Sequence, residues 1–435
     1  MKNIKQKTIT GTKWTTLSTI IIALTSLVKL SILTRYLEKE DFGLMAIVTV
    51  VLGFINLFMD MGITTAILHV QNITKKEYAS LYWLNFCFSI ILLLFIITIS
   101  SPVSVFYEET ELKTLLNLMS LGLIFSALGR QFKTIELKHL NFKLISIIDI
   151  VSAIIALVLA IILALKGFGV YTLVYSALTQ FLCSNLIYLF VGIKKNELIL
   201  HFKFTETKRF LKIGAFQVSG QIINYFNKDL DTLLIGKLLG TEILGGYSLA
   251  KQLVLRPTSL INPVLTKVAT PSLAIYQNDN QILRRNYLKL LNFVSTLNFS
   301  AYLILALLAH VIVTVLYGEA FKYISPLVQI LCIYMYLKSI NNPIGCLIIA
   351  TGRTKLEFYW HLLSLVVFPI FIYIGSYYGI YGVASSQSIF MIITLYPFWK
   401  ILINKMINVK FSEYLYSLIP NYRLKAIKNY LKGKK

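Results

Sequence analysis

Twelve times along this chain, a run of about 20 residues passes with little or no charge. In helical form a run of that length matches the hydrocarbon thickness of a bilayer. Inside lipid a backbone must satisfy its own hydrogen bonds, so each run is predicted to be a transmembrane helix. The runs fall at 14–35, 43–67, 80–101, 112–128, 144–165, 168–192, 211–234, 244–265, 290–315, 325–349, 357–378 and 380–402, the fourth being short. Only 14% of the 435 residues are charged, against roughly 25% in soluble proteins. The expected fold class is therefore an all-α polytopic membrane protein with about 12 transmembrane helices.

The loops orient it. If the first 13 residues are cytoplasmic, the inside segments hold 31 of the 42 Lys and Arg residues, the outside segments 6 and the spans 5. That asymmetry is the positive-inside pattern and places both termini in the cytoplasm. It also accounts for a net charge of +23, which in a soluble chain would suggest nucleic acid; no nucleic-acid partner is expected. Met1 to Lys13 is polar and basic and leads into a run long enough to span, so it reads as a retained first helix. The segment 193–212 is the longest basic linker and divides an N-terminal six-helix bundle, 1–192, from a C-terminal one, 213–402. After it comes a basic tail, 403–435, whose interleaved aromatics suit a helix lying on anionic membrane lipids or a solvated tail. Cys87, Cys183, Cys332 and Cys346 lie in or beside apolar runs without metal-ligand spacing.

The two halves repeat one pattern. Arg35 to Gly43 reads RYLEKEDFG and Lys237 to Gly245 reads KLLGTEILG, both basic–x–Leu–x–x–Glu–x–x–Gly, 202 residues apart. Similar halves with charges buried between them are the plan of a secondary transporter. Charges inside spans are costly and face protein or water by default. Here they are Lys29 with Arg35 at its outer end, Asp60, then Lys228, Asp229 and Asp231, then Lys251 and Arg256, then Lys338. Cations dominate, and a cavity so lined favours an anion such as a diphosphate or acidic sugar. Plainer readings stand beside this. Lys228 can pair with Asp229 or Asp231 along one helix, Arg35 and Lys237 can snorkel, and Asp60 with Gly62 suits helix packing or capping. No phosphate-binding loop, HExxH or GxSxG is present, and five scattered histidines have no ligand partner. Neither an enzyme nor a cofactor is expected.

Five stretches carry a resemblance: LTRYLEKEDFGLMAI at 33–47, FMDMGITTAILHVQNIT at 58–74, LKHLNFKLISIIDI at 137–150, DLDTLLIGKLLGTEILGGYSLAKQL at 229–253 and VLYGEAFKYISPLVQIL at 315–331. Together they resemble the Wzx-type O-antigen and polysaccharide flippases of the MOP superfamily, most closely the colanic and teichuronic acid exporter branch. Two places depart from it: QFKTIE after Arg130, and Glu38-Lys39 in the first loop. The resemblance implies two six-helix bundles in a MOP/MATE-like V with a central cavity. It implies a bacterial cytoplasmic-membrane protein that moves undecaprenyl-diphosphate-linked oligosaccharide to the outer leaflet for surface polysaccharide (lipopolysaccharide O-antigen, capsule or exopolysaccharide), alongside polysaccharide polymerase machinery. It also implies alternating access driven by an ion gradient. On that reading Lys29, Lys228, Lys251 and Arg256, with Arg35 and Lys338, form the cationic substrate site. Asp60, Asp229, Asp231 and Glu357 are the candidates for H+ or Na+ coupling.

Rival readings are a MATE-type multidrug or cation antiporter, whose cavity should be acidic, and a lipid II flippase, which should have more than twelve spans. A membrane-embedded glycosyltransferase would need large external loops, and none here exceeds a dozen or so residues. The sugar has no motif in the sequence.

Overall fold

The structure is a computed structural model that describes residues 2–196 and 198–421, with backbone alone at 2–9, 196, 214–220 and 263–268. The chain runs through α1 (Lys2–Leu33), α2 (Lys39–Asp60), α3 (Ile63–His69), α4 (Lys75–Tyr107), α5 (Glu111–Lys138), α6 (Phe142–Leu165) and α7 (Tyr171–Asn196). It continues through α8 (Phe204–Leu239), α9 (Thr241–Ala274), α10 (Asn280–Leu307), α11 (Ala309–Tyr317) and a 3-10 turn at Glu319–Ile324. Then come α12 (Ser325–Asn341), α13 (Ile344–Thr351), α14 (Thr354–Ser376), α15 (Gly379–Phe398), a π turn at Trp399–Ile403, α16 (Asn404–Ile407) and α17 (Phe411–Leu418). No strand forms among the described residues.

By length and composition, ten helical segments among the described residues can cross a membrane. The two other predicted spans lie in α8 and α9, of 36 and 34 residues, which reach about 50 Å at 1.5 Å per residue. They are long enough but carry Lys228, Asp229, Asp231, Lys251 and Arg256. α9 runs through Pro257 without interruption. The second predicted span is broken: Met61 and Gly62 are both left-handed, at φ 44° and 67°, and separate α2 from α3 immediately after Asp60.

Residues 1–245 with 316–318 form one compact unit; 246–315 with 319–435 form a second. In the first, α5 lies between α4 and α7, α1 lies on α6, and α8 lies on α2, α3 and α4. Helices in lipid gain little from burying apolar surface, so close packing needs small residues. α6 supplies a stripe at every fourth position, Ser152, Ala156, Ala160 and Ala164, all buried. Gly129 serves α5 in the same way. A methyl group there would lie 2.5 Å from the Asn185 carbonyl oxygen of α7.

The repeated turns meet in this unit. A methyl group on Gly43 would lie 1.9 Å from the Thr241 carbonyl oxygen, and one on Gly245 would lie 1.8 Å from that of Lys39. Lys39 and Thr241 are themselves 202 residues apart, so the first turns of α2 and α9 contact each other reciprocally. Ion pairs flank them: Lys39 to Glu242 at 3.4 Å and Lys237 to Glu108 at 2.8 Å.

In the second unit α12 lies between α10 and α15, and α14 lies on α15. Its core includes Tyr287, Leu347, Ile403 and Tyr414. The fully buried Tyr414 belongs to α17, inside the segment read as a tail. Phe411 packs on Trp399 and Tyr396, so residues 411–418 fold onto this unit. The remainder of the predicted tail, 422–435, lies outside the described residues.

Candidate functional site

The short fourth span is corrected: α5 continues to Lys138 instead of ending near 128. That extension carries Arg130 and Lys133, which the loop reading had placed in the cytoplasm, one helical turn apart. With Ser126 they sit at i, i+4 and i+7, one face of the helix. α6 adds Asp149 and Ser152, three apart, and α7 adds Gln180, Ser184 and Tyr188, four apart. These faces, with Ile22 of α1, line a polar cavity of about 370 Å3 inside the first unit. The close approach at Gly129 brings the α5 and α7 faces together.

One side of the cavity is saturated. Lys133 Nζ donates to both oxygens of Asp149, at 3.0 and 2.9 Å. The Tyr188 hydroxyl donates to Asp149 Oδ1 at 3.0 Å, and Lys133 also stands over the Tyr188 ring, 5.4 Å from its centre. The other side keeps capacity. Arg130 NH2 donates to Asn56 Oδ1 at 3.2 Å and to Ser126 Oγ at 3.1 Å. Its NH1 stands 4.0 Å from Asp60 Oδ1, beyond hydrogen-bond length. The two form an ion pair, and Asp60 also accepts from Thr64 in the first turn of α3. A guanidinium has five donors, so Arg130 retains N–H groups for an incoming acceptor.

The linker is fastened to α4. Trp83 Nε1 donates to Ile199 O at 3.2 Å, and Arg209 pairs with Glu77 at 2.8 Å. Ser80 Oγ donates to Glu206 at 2.7 Å while accepting from the Lys203 amide. The Ser80 hydroxyl and then His201 hold Glu206 below the usual carboxylate range.

The residues named from sequence are dispersed. Lys29 donates to Ser176 Oγ of α7 at 3.3 Å. Arg35 is exposed and donates to Ser31 Oγ at 2.9 Å. Lys228 is exposed, Asp229 half-buried, and Asp231 buried with its Oδ1 accepting from the Thr232 amide at 2.9 Å. All of these lie in the first unit. In the second, Lys251 and Arg256 are half-buried on α9. Lys338 donates to the Tyr334 hydroxyl at 3.1 Å, and Glu357 faces His361 at 3.7 Å. Of the named set, the structure gives Asp60 a place beside the cavity. Arg130, Lys133, Asp149 and Tyr188 were missed. The available signal was polar residues recurring every three or four positions across three successive apolar helices.

Residues 32–326 match the family described as "Polysaccharide biosynthesis protein". The chain is 29% identical to the Lipopolysaccharide biosynthesis protein WzxC of Escherichia coli (strain K12), over 97% of this chain and 86% of that protein. It is 31% identical to a membrane protein of the Klebsiella pneumoniae cps region, over 88% and 79%, and 27% identical to the Teichuronic acid biosynthesis protein TuaB of Bacillus subtilis (strain 168), over 98% and 88%. Among solved structures, the lipid II flippase MurJ in an inward closed conformation superposes with a TM-score of 0.74 at 17% identity, over 98% of this chain and 93% of that one. An inward-facing MATE family transporter of the MOP superfamily gives 0.69 at 15%, over 95% and 96%. These two likenesses show the fold, an all-helical MOP-type membrane protein of about 12 helices. With the family match spanning most of the chain and every polar residue of the cavity from Ser126 to Tyr188, this multi-pass membrane protein belongs to the family described as polysaccharide biosynthesis protein.

Proposed function

We propose that the chain is a flippase that carries undecaprenyl-diphosphate-linked oligosaccharide units from the inner to the outer leaflet of a bacterial cytoplasmic membrane. It would serve surface polysaccharide synthesis without catalysing bond changes. The observation that carries this reading is the family match over 32–326, which includes a polar, charged cavity inside an otherwise apolar bundle. Such a cavity offers sugars hydrogen bonds that lipid cannot.

In this reading the bundles 1–192 and 213–402 alternate access, with both termini cytoplasmic as the distribution of Lys and Arg favours. Lys29, Lys228, Lys251 and Arg256, with Arg35 and Lys338, contact the diphosphate. Asp60, Asp229, Asp231 or Glu357 couples transport to H+ or Na+. A polysaccharide polymerase receives the product.

The test is a deletion strain of the source bacterium. Lipid-linked oligosaccharide should accumulate on the inner leaflet, surface polysaccharide should disappear, and the intact gene should restore it. Absence of accumulation, with raised sensitivity to cationic dyes, would overturn the flippase reading in favour of cation export. Replacing Lys29, Lys251 and Arg256 together by Ala should abolish export; unchanged export would remove the diphosphate assignment.

A further inference from the structure

We infer that the end of the last membrane helix, together with α17, forms a binding site for the headgroup of an anionic phospholipid. The inference goes beyond the flippase reading and needs only that α15 cross a membrane.

Depth comes first. α14 and α15 pack on each other as a hairpin that turns at Tyr377 and Tyr378. From Gly379, the 20 residues of α15 cover about 30 Å at 1.5 Å per residue, the thickness of the hydrocarbon layer. Trp399 and Lys400 therefore emerge at headgroup depth, on the side opposite the hairpin turn. The helix changes form there. Pro397 has no amide to donate, and the π turn Trp399–Ile403 follows directly. Single π turns within helices recur at functional sites.

α17 is tied to that turn. Trp399 Nε1 donates to Val409 O at 2.9 Å. The Phe411 ring lies 5.0 Å from that of Trp399 and 5.2 Å from that of Tyr396. α17 is apolar on two sides. Tyr414 and Leu418 are buried in the second unit, while Leu415, Tyr416 and, just past the helix, Ile419 are exposed on the other side, Tyr416 at 73%. An apolar outer face beside a span end suits the boundary between headgroups and acyl chains better than water.

Charge then selects the lipid. Glu413 is the one acidic residue between Gly379 and Asn421, and Arg284 of α10 pairs with it. Lys400 and Lys410 are exposed and form no ion pair among the described residues. Lys400 Nζ stands 5.9 Å from the centre of the Tyr396 ring, and Lys410 directly precedes Phe411. Two ammonium groups thus flank one cluster of three rings. Aromatic rings favour headgroup depth, and the two cations attract a lipid phosphate that carries net negative charge. A zwitterionic headgroup brings its own ammonium and gains less.

The experiment uses the full chain in nanodiscs of phosphatidylcholine, with or without phosphatidylglycerol. Lysines are briefly acetylated, and the extent at each is read by mass spectrometry. Lys355 is exposed at the start of α14, so the hairpin places it in the same headgroup layer, where it reports the general surface potential. Phosphatidylglycerol should slow acetylation of Lys400 and Lys410 about fivefold more than that of Lys355, a difference of about 1 kcal/mol. Lys410→Gln should return Lys400 towards the Lys355 level. Equal slowing at all three lysines would overturn the site in favour of diffuse surface charge. Full protection of Lys400 in Lys410→Gln would overturn joint capture of one headgroup. Equal protection by inorganic phosphate, in discs without phosphatidylglycerol, would overturn the lipid as occupant. No readout involves transport, so this site and the flippase reading fail separately.

Discussion

The first turns of α2 and α9 share one sequence pattern and are built differently. Each places a glycine against the other's first carbonyl, at Gly43 and Gly245, and that much is symmetric. The starts are not. α2 holds its own end: the Glu38 amide donates to Asp41 Oδ2 at 3.0 Å within the same turn. α9 begins straight after Gly240, at φ +86°, and is held from outside, by Thr241 Oγ1 on Glu109 at 2.6 Å. Of the shared residues, the two glycines touch the opposite turn and Glu242 pairs with Lys39, whereas Arg35 bonds to Ser31 of α1 and Lys237 pairs with Glu108. The glycine that closes the pattern basic–x–Leu–x–x–Glu–x–x–Gly is thus the position that records a contact in both copies.

The comparison breaks most readily at the glycines. Gly43→Ala and Gly245→Ala should each destabilise the protein by about 1–3 kcal/mol, the usual cost of overpacking, and by similar amounts, read as melting temperature in detergent. The double variant should cost less than the sum, because the first methyl group already separates the turns. Unequal or additive losses would end the claim of reciprocity.

Next in size are the caps. Asp41→Ala should cost about 0.5–2 kcal/mol through loss of the cap on α2. Thr241→Val should cost about 1 kcal/mol through one hydrogen bond, and Glu109→Gln should reproduce part of that loss only for α9. Melting of the single and double variants would show whether α9 depends on the neighbouring loop and α2 does not.

The ion pairs come last. Lys39→Gln and Lys237→Gln, at exposed pairs, should each change stability by less than about 1 kcal/mol, and less again in high salt. The Lys237 ammonium holds the Glu108 carboxyl below its ordinary value. A depressed carboxylate stabilises the fold above its unfolded pKa and loses that contribution as pH falls through the folded one. The difference in melting temperature between wild type and Lys237→Gln should therefore shrink as acidity rises below the ordinary carboxylate range. A difference that grows there would reverse the assignment.

Much of this architecture was legible in the sequence because lipid permits few solutions. Twelve apolar runs and a 202-residue repeat foretold an all-helical chain and located the turns that meet at Gly43 and Gly245. The cavity was not legible for a physical reason. The run 112–128 ends where charge begins, while the helix continues for another ten residues because Arg130 and Lys133 turn inward to partners on α2, α6 and α7. Asp149 was hidden by the strongly apolar run around it. The second predicted span was read as continuous, although Asp60-Met61-Gly62 requires two left-handed residues that only the structure reveals.

The stripe of small residues on α6 has a consequence for heredity. Ser152, Ala156, Ala160 and Ala164 cannot gain bulk without prising neighbouring helices apart, while Ile147, Val151, Ile154, Val158 and Ile162 look outward. A saturation library across 142–165 should therefore sort into a barcode. Positions that exchange Ile, Leu, Val and Phe at will would alternate with positions closed to anything larger than serine. The tolerance of this helix to drift is written on one side of it only.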